Sequence, residues 1–252
     1  GVTVMAKAPE QLGAAWYRSF LTPQGKTFYD TLHAQLLWGD HSGRTVFTIK
    51  SPHTAARDCF AAYKALQEDH PEFFFLGLRL EFTSDGRNGV LRYPLLYTPS
   101  TIRRIQVQLR RCIAHTCAGL AHLDTLQREV SVYTRLARRM VYVNRNNISD
   151  HTVVAPVLTA SGVCEGQTAL LLLCLRHLGI PCVKISGKSK TGRGHCWALV
   201  WAGGTPLHCD LTWDAILGKG RRFRYLNRSD AEISSDHFAF PRTAEEFEDP
   251  PY

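Results

Sequence analysis

Leu170-Leu171-Leu172-Leu173-Cys174-Leu175 is the most apolar run in the chain, and it is followed at once by Arg176 and His177. It is far too short to cross a bilayer, so it reads as the buried stretch of a core helix, here from about Cys164 to Leu178. Three strand-length segments follow: Ile180 to Ser186, His195 to Trp201 and Pro206 to Thr212, with Gly-rich or basic turns between them. A helix that is apolar nearly all round must be covered on several sides, and a following antiparallel meander supplies one cover. The predicted class is therefore α+β: a helix packed on an antiparallel sheet.

The first 141 residues are read as a mainly helical extension packed on that core, and 142–252 as the core itself. Helical spacing recurs through Leu12, Trp16 and Phe20, and again through Phe28, Leu32, Leu36 and Leu37, with Thr22-Pro23 as the break. Val46 to Ile49 is a short strand, and Ser51-Pro52 opens a helix that runs to His70-Pro71. A hairpin is expected near 73–97 around Asp85-Gly86-Arg87-Asn88-Gly89. Thr98-Pro99-Ser100 then starts a long amphipathic helix through Ile102, Ile105, Leu109 and Ile113 toward Leu126, and another helix runs from Val130 to Tyr142. Asn144 to Asp150 is a loop.

With 252 residues, 44% hydrophobic and 21% charged, the chain has ordinary globular composition, and no segment could span a membrane. It opens Gly-Val-Thr-Val without Met or a leader, which suggests a trimmed N-terminus. The formal charge of +8 permits contact with nucleic acid. However, Arg103-Arg104 and Arg110-Arg111 repeat at a spacing of seven and mark the wet face of a helix, and no aromatic–basic interleaving accompanies them, so no nucleic-acid or membrane partner is expected. Eight scattered cysteines without a Cys-x-x-Cys pair read mostly as reduced core residues, and neither a metal nor a cofactor is expected.

Chemistry concentrates in three places. In Ser161-Gly162-Val163-Cys164-Glu165-Gly166-Gln167, a loop delivers a cysteine to the first turn of the apolar helix. Unpaired N–H groups and the helix dipole there favour a thiolate and can also hold an oxyanion. His195 opens a strand beside the mobile stretch Ser186 to Gly194, at a mouth that a substrate can reach. In Leu207-His208-Cys209-Asp210-Leu211-Thr212, alternation points His208, Asp210 and Thr212 together; a carboxylate in mid-strand needs a donor, and the His195 imidazole is the natural one. Cys164, His195 and Asp210 are thus the candidate catalytic residues. Trp197, His208, Trp213 and Tyr142 are candidates to line the cleft for a substrate, with Gln167 a conceivable oxyanion donor.

The string Gly162-Val163-Cys164-Glu165-Gly166, then Leu178-Gly179-Ile180-Pro181, Gly194-His195-Cys196-Trp197 and His208 to Asp214, resembles the bacterial transglutaminase-like superfamily. The likeness runs from about Tyr142 to Pro241 and takes in Tyr225-Leu226, Ser229-Asp230 and His237. It implies a papain-like Cys-His-Asp core in that order, carried by Cys164, His195 and Asp210, acting on an amide carbonyl of a protein or peptide through a thioester. Glu165 stands where animal crosslinking members carry Trp, Ala198 where bacterial relatives often carry Asn, and there is no acidic calcium loop. A cysteine protease or peptidase is the alternative, and a catalytically idle binding or scaffold module of the same fold a further one. Oligomeric state and compartment are left open.

Overall fold

The computed structural model describes residues 12–38, 46–52, 55–84, 87–217 and 222–239. The turn expected at Asp85-Gly86 and the acidic end of the chain lie outside these residues. The chain divides into two compact units, Ala15–Gln106 on one hand and Val107–Phe240 with residues 12–14 on the other.

In the first unit a 3-10 turn, Tyr17–Phe20, leads to α1 (Pro23–Trp38), then β1 (Val46–Pro52), α2 (Ala56–Asp69), β2 (Glu81–Ser84) and β3 (Asn88–Pro94). The three strands pair antiparallel in the order β1-β3-β2. Phe28 and Leu32, four apart on α1, are fully buried, as are Cys59, Ala62 and Leu66 on α2, so the helical period read from the sequence is the period of the core. Asp69 ends α2 inside the unit and takes three donors: the backbone N–H of Tyr17 at 2.8 Å and of Arg18 at 3.0 Å, and the Tyr29 hydroxyl at 2.8 Å. Burial still pushes its carboxyl up to about 6, against those hydrogen bonds.

The second unit holds the C-terminal part of α3 (Pro99–Cys117) and all of α4 (Thr125–Arg139). The sequence periodicity predicts one helix reaching Leu126 and another ending at Tyr142. α3 stops earlier because Gly119 takes a φ of +76°, the left-handed conformation that ends helices, and Asp124 then caps α4 in a reciprocal box with Gln127. α4 packs on α6 (Cys164–His177), α7 (Leu211–Leu217) and β7 (Gly194–Gly203), so it lies in the unit that holds those elements rather than in an extension ending at 141.

The remaining elements are β4 (Val141–Tyr142), a 3-10 turn at Ile148–His151, α5 (Val154–Thr159), β5 (Ser161–Gly162), β6 (Cys182–Ser189), β8 (Thr205–Cys209), α8 (Asp230–Ile233) and β9 (His237–Ala239). β6, β7 and β8 form the expected meander, with β9 added at one edge to give the antiparallel order β8-β7-β6-β9; β4 and β5 pair separately and in parallel. α6 buries Leu170, Leu171, Leu172, Cys174 and Leu175 and packs on β7 and β6. This is the predicted α+β arrangement of a helix carrying Cys on an antiparallel sheet carrying His, but the Asp expected on the same sheet lies just past the end of β8.

Two local expectations change. Ser186 to Gly194 is no loop: β6 continues to Ser189 and a tight turn closes it, with Gly192 N–H on Ser189 O at 2.8 Å and Ser189 N–H on Arg193 O at 2.9 Å. The third strand ends at Cys209, and Leu211 begins a helix, so Asp210, Thr212 and their neighbours do not alternate between two faces. Among the described residues no helix is long and apolar enough to cross a membrane. All eight cysteines are free, and all but Cys112 and Cys164 are buried.

Candidate active site

Cys164 is the first residue of α6, where the leading amide N–H groups have no helical acceptor. The turn that delivers it is tightly fitted. Gly162 sits at a φ of +137°, open to glycine and costly for other residues, and Val163 N–H donates to the Asp150 carbonyl at 3.0 Å. Gly166 lies so close to the 3-10 turn that a Cβ there would be 2.5 Å from Thr152 O and 2.7 Å from Asp150 O. Asp150 is itself held by the Arg145 guanidinium at 2.6 Å. The thiol at the end of this bracket is half-buried.

His195 is the second residue of β7, paired with Gly187 of β6. Its Nε2 lies 2.6 Å from Asp210 Oδ2, which leaves Nδ1 for Cys164, with which the ring hydrogen-bonds. Trp197 and Trp213 both stack against the ring, at 5.8 and 5.2 Å between centroids. Asp210 follows β8 directly and acts as the cap of α7: its Oδ1 accepts Trp213 N–H at 3.1 Å. The Tyr133 hydroxyl of α4 donates to the Asp210 carbonyl at 2.9 Å and also contacts the Asp214 carboxylate, which fixes the start of α7.

The electrostatics follow from these contacts. The Cys164 thiol is held well below its ordinary value, first by a hydrogen bond from the Cys196 thiol, then by the hydrogen bond and charge of His195 and by Cys196 N–H, against burial. Burial pulls His195 down, but the Asp210 carboxylate and the Cys164 sulfur outweigh it, and the imidazole is raised to about 10. Asp210 is fully buried, which would raise it, yet its two imidazole partners keep it below the ordinary carboxylate range. Sulfur, imidazole and carboxylate stand in one row, and the direction of each shift favours thiolate, imidazolium and carboxylate.

The other sequence-predicted site residues separate into two groups. Tyr142 is 47% exposed and Trp213 half-buried against His195, with Tyr142 close enough to Cys164 for their charges to interact. Trp197, His208 and Gln167 do not line a cleft. Trp197 is buried and donates Nε1–H to His208 Nδ1 at 2.9 Å, while His208 Nε2 meets Asp230 at 2.7 Å. Gln167 is buried with its Nε2 donating to Gly162 O at 3.0 Å, a brace under the cysteine turn rather than an oxyanion donor.

Two residues given no role from sequence join the site. Cys196 lies beside Cys164, and its own thiol is raised well above the ordinary value by that contact and by burial. His237, on β9, places Nε2 2.6 Å from the same Asp210 Oδ2 that His195 meets. His237 fell inside the stretch of family likeness, but no local pattern marks a histidine as the partner of a carboxylate 27 residues away. The donor atoms of His195, Asp210 and His237 lie within 4.8 Å of one another, close enough for an ion. Each nitrogen is, however, at hydrogen-bond distance from the carboxylate, so the group is read as hydrogen-bonded and no metal is assigned.

Four solved chains are similar to this one. One, described as a TGase, shows 14% identity with a TM-score of 0.41 over 62% of this chain and 49% of its own. Another, described as a candidate cysteine protease from Cytophaga hutchinsonii, shows 13% identity with a TM-score of 0.35 over 54% of this chain and 62% of its own. The chain therefore spans about half the length of the TGase structure. No curated protein matches it. Residues 113–211 match the core model of the transglutaminase-like superfamily, a span that contains Cys164, His195 and Asp210.

Proposed function

We propose that this protein is a thiol acyl-transfer enzyme acting on an amide carbonyl of a protein or peptide, either a glutamine side chain or a peptide bond. The observation that carries the reading is the row from Asp210 through His195 to Cys164, with the sulfur at a helix N-terminus. The Cys164 thiolate attacks the carbonyl carbon, and the oxyanion that develops meets the first N–H groups of α6. The C–N bond breaks as His195 passes its proton to the departing nitrogen, leaving a thioester. Water or an amine then attacks the thioester carbonyl and gives a proton to His195, and the C–S bond breaks to restore the thiolate. Asp210 keeps the imidazole in the right tautomer and orientation throughout. The exposed Tyr142 and the half-buried Trp213 flank the sulfur and the imidazole and suit contact with an extended peptide.

The test is ammonia release from a glutamine-rich protein, with and without a labelled primary amine, alongside a search for new peptide termini. One of these products is expected from the wild type, and Cys164→Ala is expected to fall to background, a loss on the order of a thousandfold or more. Ammonia alone assigns deamidation, incorporated amine assigns transamidation, and new termini assign proteolysis. A wild type indistinguishable from Cys164→Ala in all three assays would mean a binding module on the same fold.

A further inference from the structure

His237 opens β9 at the sheet edge, opposite Ser189 of β6, and its side chain is wholly buried. Both ring nitrogens face carboxylates: Nδ1 is 2.6 Å from Asp236 Oδ1 and Nε2 is 2.6 Å from Asp210 Oδ2. An ionised carboxylate has acceptors only, so the contact with Asp210 requires a proton on Nε2. Asp236 is anchored in turn, its Oδ2 accepting the Tyr225 hydroxyl at 2.7 Å. The ring is boxed by Trp213 at 4.2 Å, Trp197 at 4.8 Å and Tyr225 at 5.5 Å between centroids, which holds its orientation.

With this ring in place the Asp210 carboxylate is held on every side. Oδ1 takes Trp213 N–H, and Oδ2 lies 2.6 Å from Nε2 of each of the two imidazoles, as many partners as a carboxylate oxygen has lone pairs. A side chain with two rotatable bonds and three fixed donors has one position, and that position aims it at His195. We propose that His237 is a positioning residue of this site: by donating Nε2–H to Asp210 Oδ2 it keeps the carboxylate ionised and aimed at His195, extending the row to Asp236, His237, Asp210, His195 and Cys164. The proposal rests on the acyl-transfer reading of the site.

The direction of the effect follows from charge. The groups facing His237 are Asp210 after β8, His195 on β7, Asp236 beside it and Tyr225 in the loop after α7. β6 contributes Lys188, whose backbone pairs with β9, and Lys190 follows it with its N–H on the Asp236 carbonyl; both carry exposed side chains. Without the Nε2–H donor, a fully buried Asp210 is protonated more readily, supports the His195 imidazolium less, and Cys164 becomes a thiolate only at higher pH.

The experiment follows iodoacetamide alkylation of Cys164, resolved by peptide mass spectrometry, across the acid range in the intact protein. His237→Phe keeps an aromatic ring without the donor, and His237→Gln keeps an N–H that can reach Asp210. The acid limb of the alkylation profile is expected to move up by about one pH unit in His237→Phe, a roughly tenfold slower reaction on that limb, and by less than half as much in His237→Gln. A folded His237→Phe with the wild-type limb, or a His237→Gln shifted as far as His237→Phe, would overturn the role. Histidine ¹⁵N spectra of the wild type give an answer independent of any variant: Nε2 of His237 should carry a proton through neutral pH, and a bare Nε2 would overturn the proposal. A wild-type Cys164 inert toward iodoacetamide across the acid range would defeat the acyl-transfer reading itself, whereas a reactive Cys164 with an unmoved limb in His237→Phe defeats only the role of His237.

Discussion

Cys164 and His195 are hydrogen-bonded, with the thiol lowered and the imidazole raised, and the pH dependence of stability should carry the mark of that pairing. His195 is raised from 6.5 to about 10, so its contribution is fully present below 6.5 and is lost as pH rises through about 10. Cys164 is lowered well below 9.0, so its contribution is fully present above 9.0 and is lost as pH falls through its folded value. Between 6.5 and 9.0, wherever the pH exceeds the folded value of Cys164, the folded pair binds one proton as thiolate and imidazolium, and so does the unfolded pair as thiol and imidazole. The pair therefore adds no slope in that window. Cys164→Ala leaves His195 with Asp210 alone, and the variant should lose stability relative to wild type as pH rises across the window. Urea midpoints measured at several pH values check this; a difference that stays constant with pH would contradict the ion pair.

At the scale of elements, the sulfur is placed by the fit between α6 and the turns before it. Gly166→Ala would drive a methyl into the Thr152 and Asp150 carbonyls, both backbone atoms that cannot rotate away. The expected cost is about 2 kcal/mol of stability, with slower alkylation of Cys164, read by denaturant unfolding and by the alkylation rate. Unchanged values for both would show that the bracket is not what positions the cysteine. α6 itself was legible in the sequence, since an apolar run preceded by Gly162 and a cysteine has few other readings. Asp210 was legible as a residue but not as a cap, because Leu207 to Thr212 has strand periodicity and only the Trp213 N–H on Oδ1 distinguishes the helix start. Trp197, His208 and Gln167 were misplaced for a related reason. Each is a polar-tipped side chain whose partner, such as His208 Nδ1 for the Trp197 indole, lies on another element.

For the whole molecule, the helical periods of α1 and α2 and the meander at the other end could be read from periodicity alone. The division at Gln106 could not, because it is set by contacts such as the Tyr133 hydroxyl on Asp210, 77 residues apart, which tie α4 to the candidate site. His237 escaped assignment similarly: β9 returns to the sheet edge after β8, α7 and α8, and brings a second imidazole to a carboxylate already paired. Acyl transfer requires Cys164 to be a thiolate nucleophile, and the chain supplies its own control, since Cys112 and Cys164 are the two cysteines that are not buried. Iodoacetamide labelling of the intact protein below neutral pH, with each cysteine quantified by mass spectrometry, is the direct measurement. Cys164 should be alkylated at least about tenfold faster than Cys112, with the advantage lost in His195→Ala; a Cys164 that reacts no faster than Cys112 would show that it is no thiolate nucleophile.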